Sequence, residues 1–471
     1  MTLKDQGPGI FRHTRRIHFV AIGGIGMSGI AEVLLGMGVF QITGSDLRAS
    51  AITDRLRELG AGITIGHEAA GVAGADVVVR SSAVTESNVE IREARRLRIP
   101  VIRRAEMLAE LMRLKQGIAI AGSHGKTSTT SLVASALQGG GLEPTVIVGG
   151  VVKNLGSNAV SGRGDMLVAE ADESDGTFLH LTPTIAVVTN IDYEHVDHYA
   201  SMEALRDAFA EFLHRVPFYG TCVLCLDDPE VRALRPRLDR AVLTYGTVED
   251  ADLRALPDSI TATDQGQSAT IVLRGRELGT LLVPMRGRHN LANALAALAV
   301  SLDLGLPFDK AAAGIAASGG VGRRCDLKGE HDGVLVVDDY GHHPTEIQAT
   351  MEVARSYGRP VAVLFQPHRY SRTAAFGREF AEALGGADDV ALLPVYPAGE
   401  APIEGVGSGT IAGHLMDHPL RSLELLDGPG DLNAWLDKQV RPGHLLLMLG
   451  AGDVGRLVDQ AVAHLAGRQG S

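Results

Sequence analysis

Short apolar runs that end in a glycine or a carboxylate recur along this chain, separated by stretches whose apolar residues fall at helical spacing. His18-Phe-Val-Ala-Ile22 runs into a glycine turn and then a helix over Gly29 to Met37. Val39 to Thr43 ends at Gly44-Ser45-Asp46, and Ala75 to Val79 ends at Arg80-Ser81-Ser82. Strand, helix, strand in this rhythm predicts a parallel sheet, because parallel neighbours need a crossover connection. The rhythm restarts near Gln116, with buried strands at Gly117 to Ala121, Met166 to Ala169 and Ile185 to Thr189, a hairpin-rich stretch from about 240 to 285, and a helix over Leu291 to Leu302. It starts a third time after Gly319-Gly320, with strands at Val334 to Val337, Val361 to Phe365, Val390 to Leu393 and Leu445 to Leu449. The chain therefore reads as three α/β domains, 1–110, 111–322 and 323–471.

Length agrees, since 471 residues at roughly 150 per domain predict about three. The chain holds 57 glycines, where ordinary usage of about 7% would give roughly 33, a bias toward glycine-loop enzymes. Lys plus Arg minus Asp plus Glu is 44 − 56 = −12, which leaves no broad positive field for nucleic acid. Anionic ligands must then be held locally, by helix N-termini, glycine loops and a few placed arginines. Three cysteines are too few for a disulfide framework. Cys222 and Cys225 are three apart in a strand-like run, on opposite faces, which predicts packing and not metal or redox chemistry. Arg15-Arg16 resembles an export signal, but the glycine loop just behind it would be lost on cleavage, and no run reaches membrane-spanning length. A cytoplasmic protein with no membrane partner is expected.

Gly24-Ile25-Gly26-Met27-Ser28-Gly29 lies between strand and helix, with Asp46 twenty residues after Gly26. The spacing suits NAD, a diphosphate sugar nucleotide, or a structural turn. Gly122-Ser123-His124-Gly125-Lys126-Thr127 is a second such loop, two residues shorter than the usual phosphate loop. In it Lys126 would grip the β- and γ-phosphates of ATP and the Thr127 hydroxyl would ligate magnesium. Glu170-Ala-Asp-Glu-Ser-Asp175 leaves a buried strand at its carboxyl end, where open α/β sheets place ligands, and Glu170 is the expected magnesium ligand. His195, beside the acidic segment after Ile185 to Thr189, is a metal or substrate ligand by the same placement.

These motifs, with Gly-Arg-His-Asn-Leu-Ala-Asn (287–293), Gly-Arg-Arg (322–324), Asp-Asp-Tyr-Gly-His-His-Pro-Thr-Glu (338–346) and Phe-Gln-Pro-His-Arg-Tyr-Ser-Arg-Thr (365–373), resemble the Mur ligases in order and over nearly the whole chain. The resemblance implies an N-terminal Rossmann-like parallel sheet that holds a UDP-sugar (Gly24 to Gly29, Asp46 and Ser82) and not NAD. It implies a central P-loop ATPase-like domain, with Gly122 to Ser128, Asn290 and Asn293 on ATP, and Thr127, Glu170 and His195 on Mg2+. The C-terminal domain is then a Rossmann-like α/β unit whose Arg324 and Asp339 complete the ATP site, while His342, Arg369 and Arg372 hold an amino acid. Lys126, Glu170, His195 and Arg324 would carry the chemistry. The implied reaction joins L-alanine to the lactyl carboxylate of UDP-N-acetylmuramate through an acyl phosphate, giving ADP and phosphate in peptidoglycan precursor synthesis. A sibling that adds a preformed peptide to the same sugar nucleotide is the nearest alternative, and an NAD-dependent oxidoreductase a distant one. Three departures stand out: Ser123 replaces a usual Thr, Cys325 replaces a usual Phe, and no lysine lies between Lys153 and Lys310 to supply the carbamoylated lysine of sibling ligases.

Overall fold

The computed structural model describes residues 11–468 apart from 12, 82, 153–156, 194–197 and 264. These form two compact units, one running to Pro284 and including Asn290–Gly320, the other made of Met285–His289 and the chain from Val321 onward. The first unit carries two sheets and the second carries one.

The first sheet is parallel throughout, in the order Gly62–Ile65, Gln41–Asp46, Arg16–Val20, Val77–Arg80, Val101–Arg103. Its second and fourth strands in this order flank Arg16–Val20 on opposite sides, so the glycine loop that follows Arg16–Val20 sits at the switch point where such sheets open a crevice. The predicted strand is displaced by two residues. The helix also begins earlier than the apolar spacing indicates, at Ile25, because the loop glycines form its cap and first turn.

The second sheet is the larger. Its parallel core runs Ala241–Gly246, Thr221–Cys225, Ile185–Val188, Gln116–Ala121, Met166–Glu170, Thr145–Val152. The near-continuous apolar runs of the three central strands reflect burial on both faces. Gln116–Ala121 again has partners from opposite directions of the winding, so the second glycine loop also emerges at a switch point. Beyond Ala241–Gly246, the strands Gly266–Leu273 and Arg276–Val283 form the expected hairpin. Cys222 and Cys225 are buried within the strand Thr221–Cys225, and burial pushes both thiols up to about 12, as packing residues require. Glu170 is the last residue of its strand and pairs with Ile120, one position earlier than the sequence suggests.

The third sheet has the order Asp326–His331, Val334–Asp339, Leu445–Leu449, Val361–Phe365, Asp389–Leu392, Ser422–Leu425, parallel except for the first strand. Leu445–Leu449 is apolar at every position and fully buried, with helices packed on both faces of the sheet. Among the described residues no helix is long and apolar enough to cross a membrane.

Candidate functional site

Gly24 caps the helix Ile25–Gly36 in extended backbone with no side-chain cap bond, and the first turn holds no acidic residue. The positive end of the helix is therefore available to an anion. Asp46 faces inward: its Oδ2 accepts the Gly23 amide at 2.8 Å, which fastens the turn to the neighbouring strand. A Cβ on Gly26 would lie 2.9 Å from Nη1 of Arg104, so the bare backbone here admits a guanidinium. Arg104 has no carboxylate partner among the described residues, and no sequence motif pointed to it. Ser28 is buried and donates to the Ile25 carbonyl.

A cleft of about 300 Å3 joins Gly24, Ile25, Gly26 and Met27 to Ser81, Arg104, Gly149, Glu170 and Asp172. The glycine cradle of the first sheet and the carboxyl end of a central strand of the second thus open into one space. Glu170 reaches it with Oε1 accepting the Gly149 amide at 2.7 Å.

The second loop is stapled to the exit of the strand Ile185–Val188. The Asn190 side chain brackets His124, accepting its amide at 2.8 Å and donating to its carbonyl at 3.0 Å, and the Thr189 hydroxyl donates to the same carbonyl at 2.7 Å. Ser123 Oγ donates to the Asp192 carbonyl and accepts the Asp192 amide, and His124 Nε2 lies 3.0 Å from Asp192 Oδ2. Gly122 has φ +131°, and a Cβ there would sit 2.1 Å from Thr189 Oγ1, so only glycine fits. Gly125, at φ +80°, caps the helix Lys126–Gly139, which carries Thr127 and the buried Ser128 in its first turn. Lys126 Nζ contacts both carboxylate oxygens of the buried Glu173 at 3.0 and 2.9 Å. Asn290 and Asn293 are buried in the helix Arg288–Asp303, and Asn293 Oδ1 accepts the Thr129 hydroxyl at 3.1 Å. Ser82 and His195 lie outside the described residues.

In the second unit, buried Asp339 accepts the amides of Cys325 at 2.6 Å and Gly341 at 2.7 Å, and burial raises its pKa. Its carboxylate folds the 323–325 turn onto the strand end. The Arg324 guanidinium lies 4.9 Å over the Tyr340 ring and 3.5 Å from Glu346. Burial pushes His342 down to about 4, so the ring is neutral at pH 7. With Nδ1 donating to the Tyr340 carbonyl at 3.1 Å, Nε2 is the acceptor nitrogen. Arg369 is the N-cap of the helix Tyr370–Leu384, in left-handed backbone at φ +71°, and Arg372 lies in the first turn. His368, which the sequence did not single out, stacks on Tyr396 beside them, and burial and the two arginines push it down to about 4.

Residues 16–116 match the catalytic domain of the Mur ligase family, 120–301 the Mur ligase middle domain, and 323–452 the glutamate ligase domain of Mur ligases. The chain is 51% identical over 454 residues to the UDP-N-acetylmuramate--L-alanine ligase of Geobacter sp. strain M21, covering 96% of this chain and 97% of that one. It is 52% identical over 440 residues to the enzyme of the same name from Anaeromyxobacter sp. strain Fw109-5, covering 93% and 95%. The crystal structure of the UDP-N-acetylmuramate-alanine ligase of Thermotoga maritima superimposes with a TM-score of 0.80 at 28% identity, covering 97% and 100%.

Proposed function

The chain belongs to the Mur ligase family, and from that premise we propose that it joins L-alanine to the lactyl carboxylate of UDP-N-acetylmuramate at the expense of ATP. The observation that carries this reading is the shared cleft, in which a helix N-terminus, Arg104 and Glu170 meet. A sugar nucleotide whose diphosphate rests on Gly24 to Gly29 and Arg104, near Asp46 and Ser82, has its carboxylate end in the same space as Glu170. No nicotinamide function is needed to explain the first loop.

The reacting carboxylate attacks the γ-phosphorus of ATP, displaces ADP and becomes an acyl phosphate. Lys126 offsets charge on the transferring group, and the amides of Gly122 to Ser128 hold the phosphates, with Asn290, Asn293, Arg324 and Asp339 assigned to the rest of the nucleotide. Thr127 and Glu170 offer hard oxygen ligands, which fit Mg2+, with His195 as the third. When bound, the ion supplies charge neutralisation to the phosphoryl group. Arg369 and Arg372 bind the alanine carboxylate, and the neutral His342 accepts a hydrogen bond from its nitrogen at Nε2. The amine attacks the acyl carbon, and phosphate leaves. Domain limits of 1–110, 111–322 and 323–471 and a cytoplasmic setting belong to the same reading.

The test is ADP release with UDP-N-acetylmuramate and a panel of amines: L-alanine, glycine, L-serine, alaninamide and a tripeptide. Release that depends on both the sugar nucleotide and L-alanine is expected, with alaninamide poor because it lacks the carboxylate. Tripeptide outcompeting alanine would assign the peptide-adding activity instead, and release independent of the sugar nucleotide would sink the reading.

A further inference from the structure

The acidic run after the strand Met166–Glu170 divides its labour. Asp172 accepts the Ser174 amide at 3.1 Å and Asp175 accepts the Thr177 amide at 3.0 Å, so both close turns. Glu173 does something else. Its side chain is 1% exposed, and both oxygens lie on Lys126 Nζ, at 3.0 and 2.9 Å. The same nitrogen donates to the carbonyls of Gly122 at 2.6 Å and Ser123 at 3.1 Å. The Tyr199 hydroxyl donates to the Glu173 carbonyl at 2.7 Å, which fixes the backbone that aims the carboxylate. An ammonium has three protons, and among the described residues alone four acceptor atoms surround this one, so its donor capacity is fully used by the protein. Phosphates seated in the loop need those same protons.

We propose that Glu173 is a positioning residue that competes with the phosphates of a nucleoside triphosphate for Lys126, and so trades nucleotide affinity for turnover. The proposal rests on the ATP-site reading above. Transfer of the ammonium to phosphate takes a two-point charge-assisted contact away from a buried carboxylate, which is costly. That cost weakens nucleotide binding, and it draws the lysine back once the phosphoryl group has moved, which hastens product release. A merely structural ion pair predicts neither effect. Buried pairs of this kind add little net stability over apolar replacements, and this one engages the atom the chemistry uses.

Glu173→Gln keeps the shape and removes the charge. Calorimetric titration with MgADP and with a magnesium complex of a non-hydrolysable ATP analogue should give binding about 10-fold tighter than wild type, the size expected when a competing charge contact is lost. Steady-state turnover should fall together with KM for ATP. Unchanged or weaker nucleotide binding in a folded Glu173→Gln protein overturns the proposal, even if its melting temperature drops. A second measurement needs no Glu173 variant. The chain has seven lysines, so a spectrum of the protein labelled at the lysine ε-carbon is sparse, and the Lys126 signal is assigned by its loss in Lys126→Met. That signal should shift when the analogue is added to wild type, as the ammonium changes partners, and an unmoved signal at saturation overturns the proposal. If wild type binds the analogue but does not ligate alanine, the functional reading fails while the Glu173 assignment is still decided by these titrations; if wild type binds no nucleotide, both fall.

Discussion

The two glycine loops of the first unit look alike in sequence and emerge at equivalent points of their sheets, yet their electrostatic states are opposite. Around Gly24 to Gly29 the helix end carries no acidic residue, and Arg104 has no carboxylate partner among the described residues. Around Gly122 to Thr127 the cation is already paired with the Glu173 carboxylate and hydrogen-bonded to two loop carbonyls. The first loop is a glycine cradle at a helix end with no acidic residue in the first turn. In the second the lysine already has a partner within the protein. A glycine motif therefore fixes the backbone that phosphate can approach, while the side chains brought in from elsewhere decide what binding costs.

The largest expected effect separates the loops by chemistry. Lys126→Ala should lower kcat for ligation by about 1000-fold or more, because it removes charge stabilisation from the transferring phosphoryl group, while KM for the sugar nucleotide changes little. Rate measurement with a circular-dichroism check of folding tests this. A loss confined to the KM for the sugar nucleotide would mean that the roles of the two loops had been exchanged.

Next comes a contrast in rigidity. Gly122→Ala meets Thr189 Oγ1 and the backbone of Asn190, and it must also adopt φ +131°. No flexible end can yield, so thermal or urea unfolding should show a loss of about 2–4 kcal/mol. Wild-type stability would show that the stapling of this loop to Thr189 and Asn190 is not rigid.

Arg104→Ala probes the glycine cradle. Removal of one charge-assisted contact to a diphosphate should raise KM for the sugar nucleotide by about 10- to 100-fold and leave KM for ATP unchanged. Equal effects on both substrates would place Arg104 outside the cradle.

Sequence made the strand-and-loop skeleton legible because parallel strands buried on both faces must be apolar throughout, as Leu445–Leu449 and Ile185–Val188 are. Edge strands such as Gly62–Ile65, largely exposed, leave no such signature. At the site, residues tied to a glycine loop in the chain were readable, whereas Glu173 and Arg104 were not. Glu173 is one of four carboxylates in six residues, and nothing in their order says which one turns inward. Arg104 looks like one more surface arginine beside Arg103 until the fold lays it against Gly26. The helix starting at Tyr370 has a weak signature in the sequence, because Pro367 and the polar run after it mask the helical spacing.

The smallest effect sharpens the comparison most. A methyl group on Gly26 would sit 2.9 Å from the Arg104 guanidinium and 3.0 Å from its Cδ, and its three nearest neighbours outside the helix backbone all belong to Arg104. The obstacle is the far end of a flexible side chain, which can swing away, and Gly26 lies within a helix where alanine is favoured over glycine. Gly26→Ala should therefore fold with stability within about 1 kcal/mol of wild type. Its cost should appear in function: Arg104 displaced from the cradle weakens the diphosphate contact without deleting it, so KM for the sugar nucleotide should rise by roughly 3- to 10-fold, less than in Arg104→Ala. In the Arg104→Ala background, most of that effect should vanish, since the displaced group is gone. If Gly26→Ala instead unfolds the protein as Gly122→Ala is expected to, the two loops are equally rigid; if its effect on KM persists in full without Arg104, the methyl group acts on the ligand directly and the arginine is a bystander.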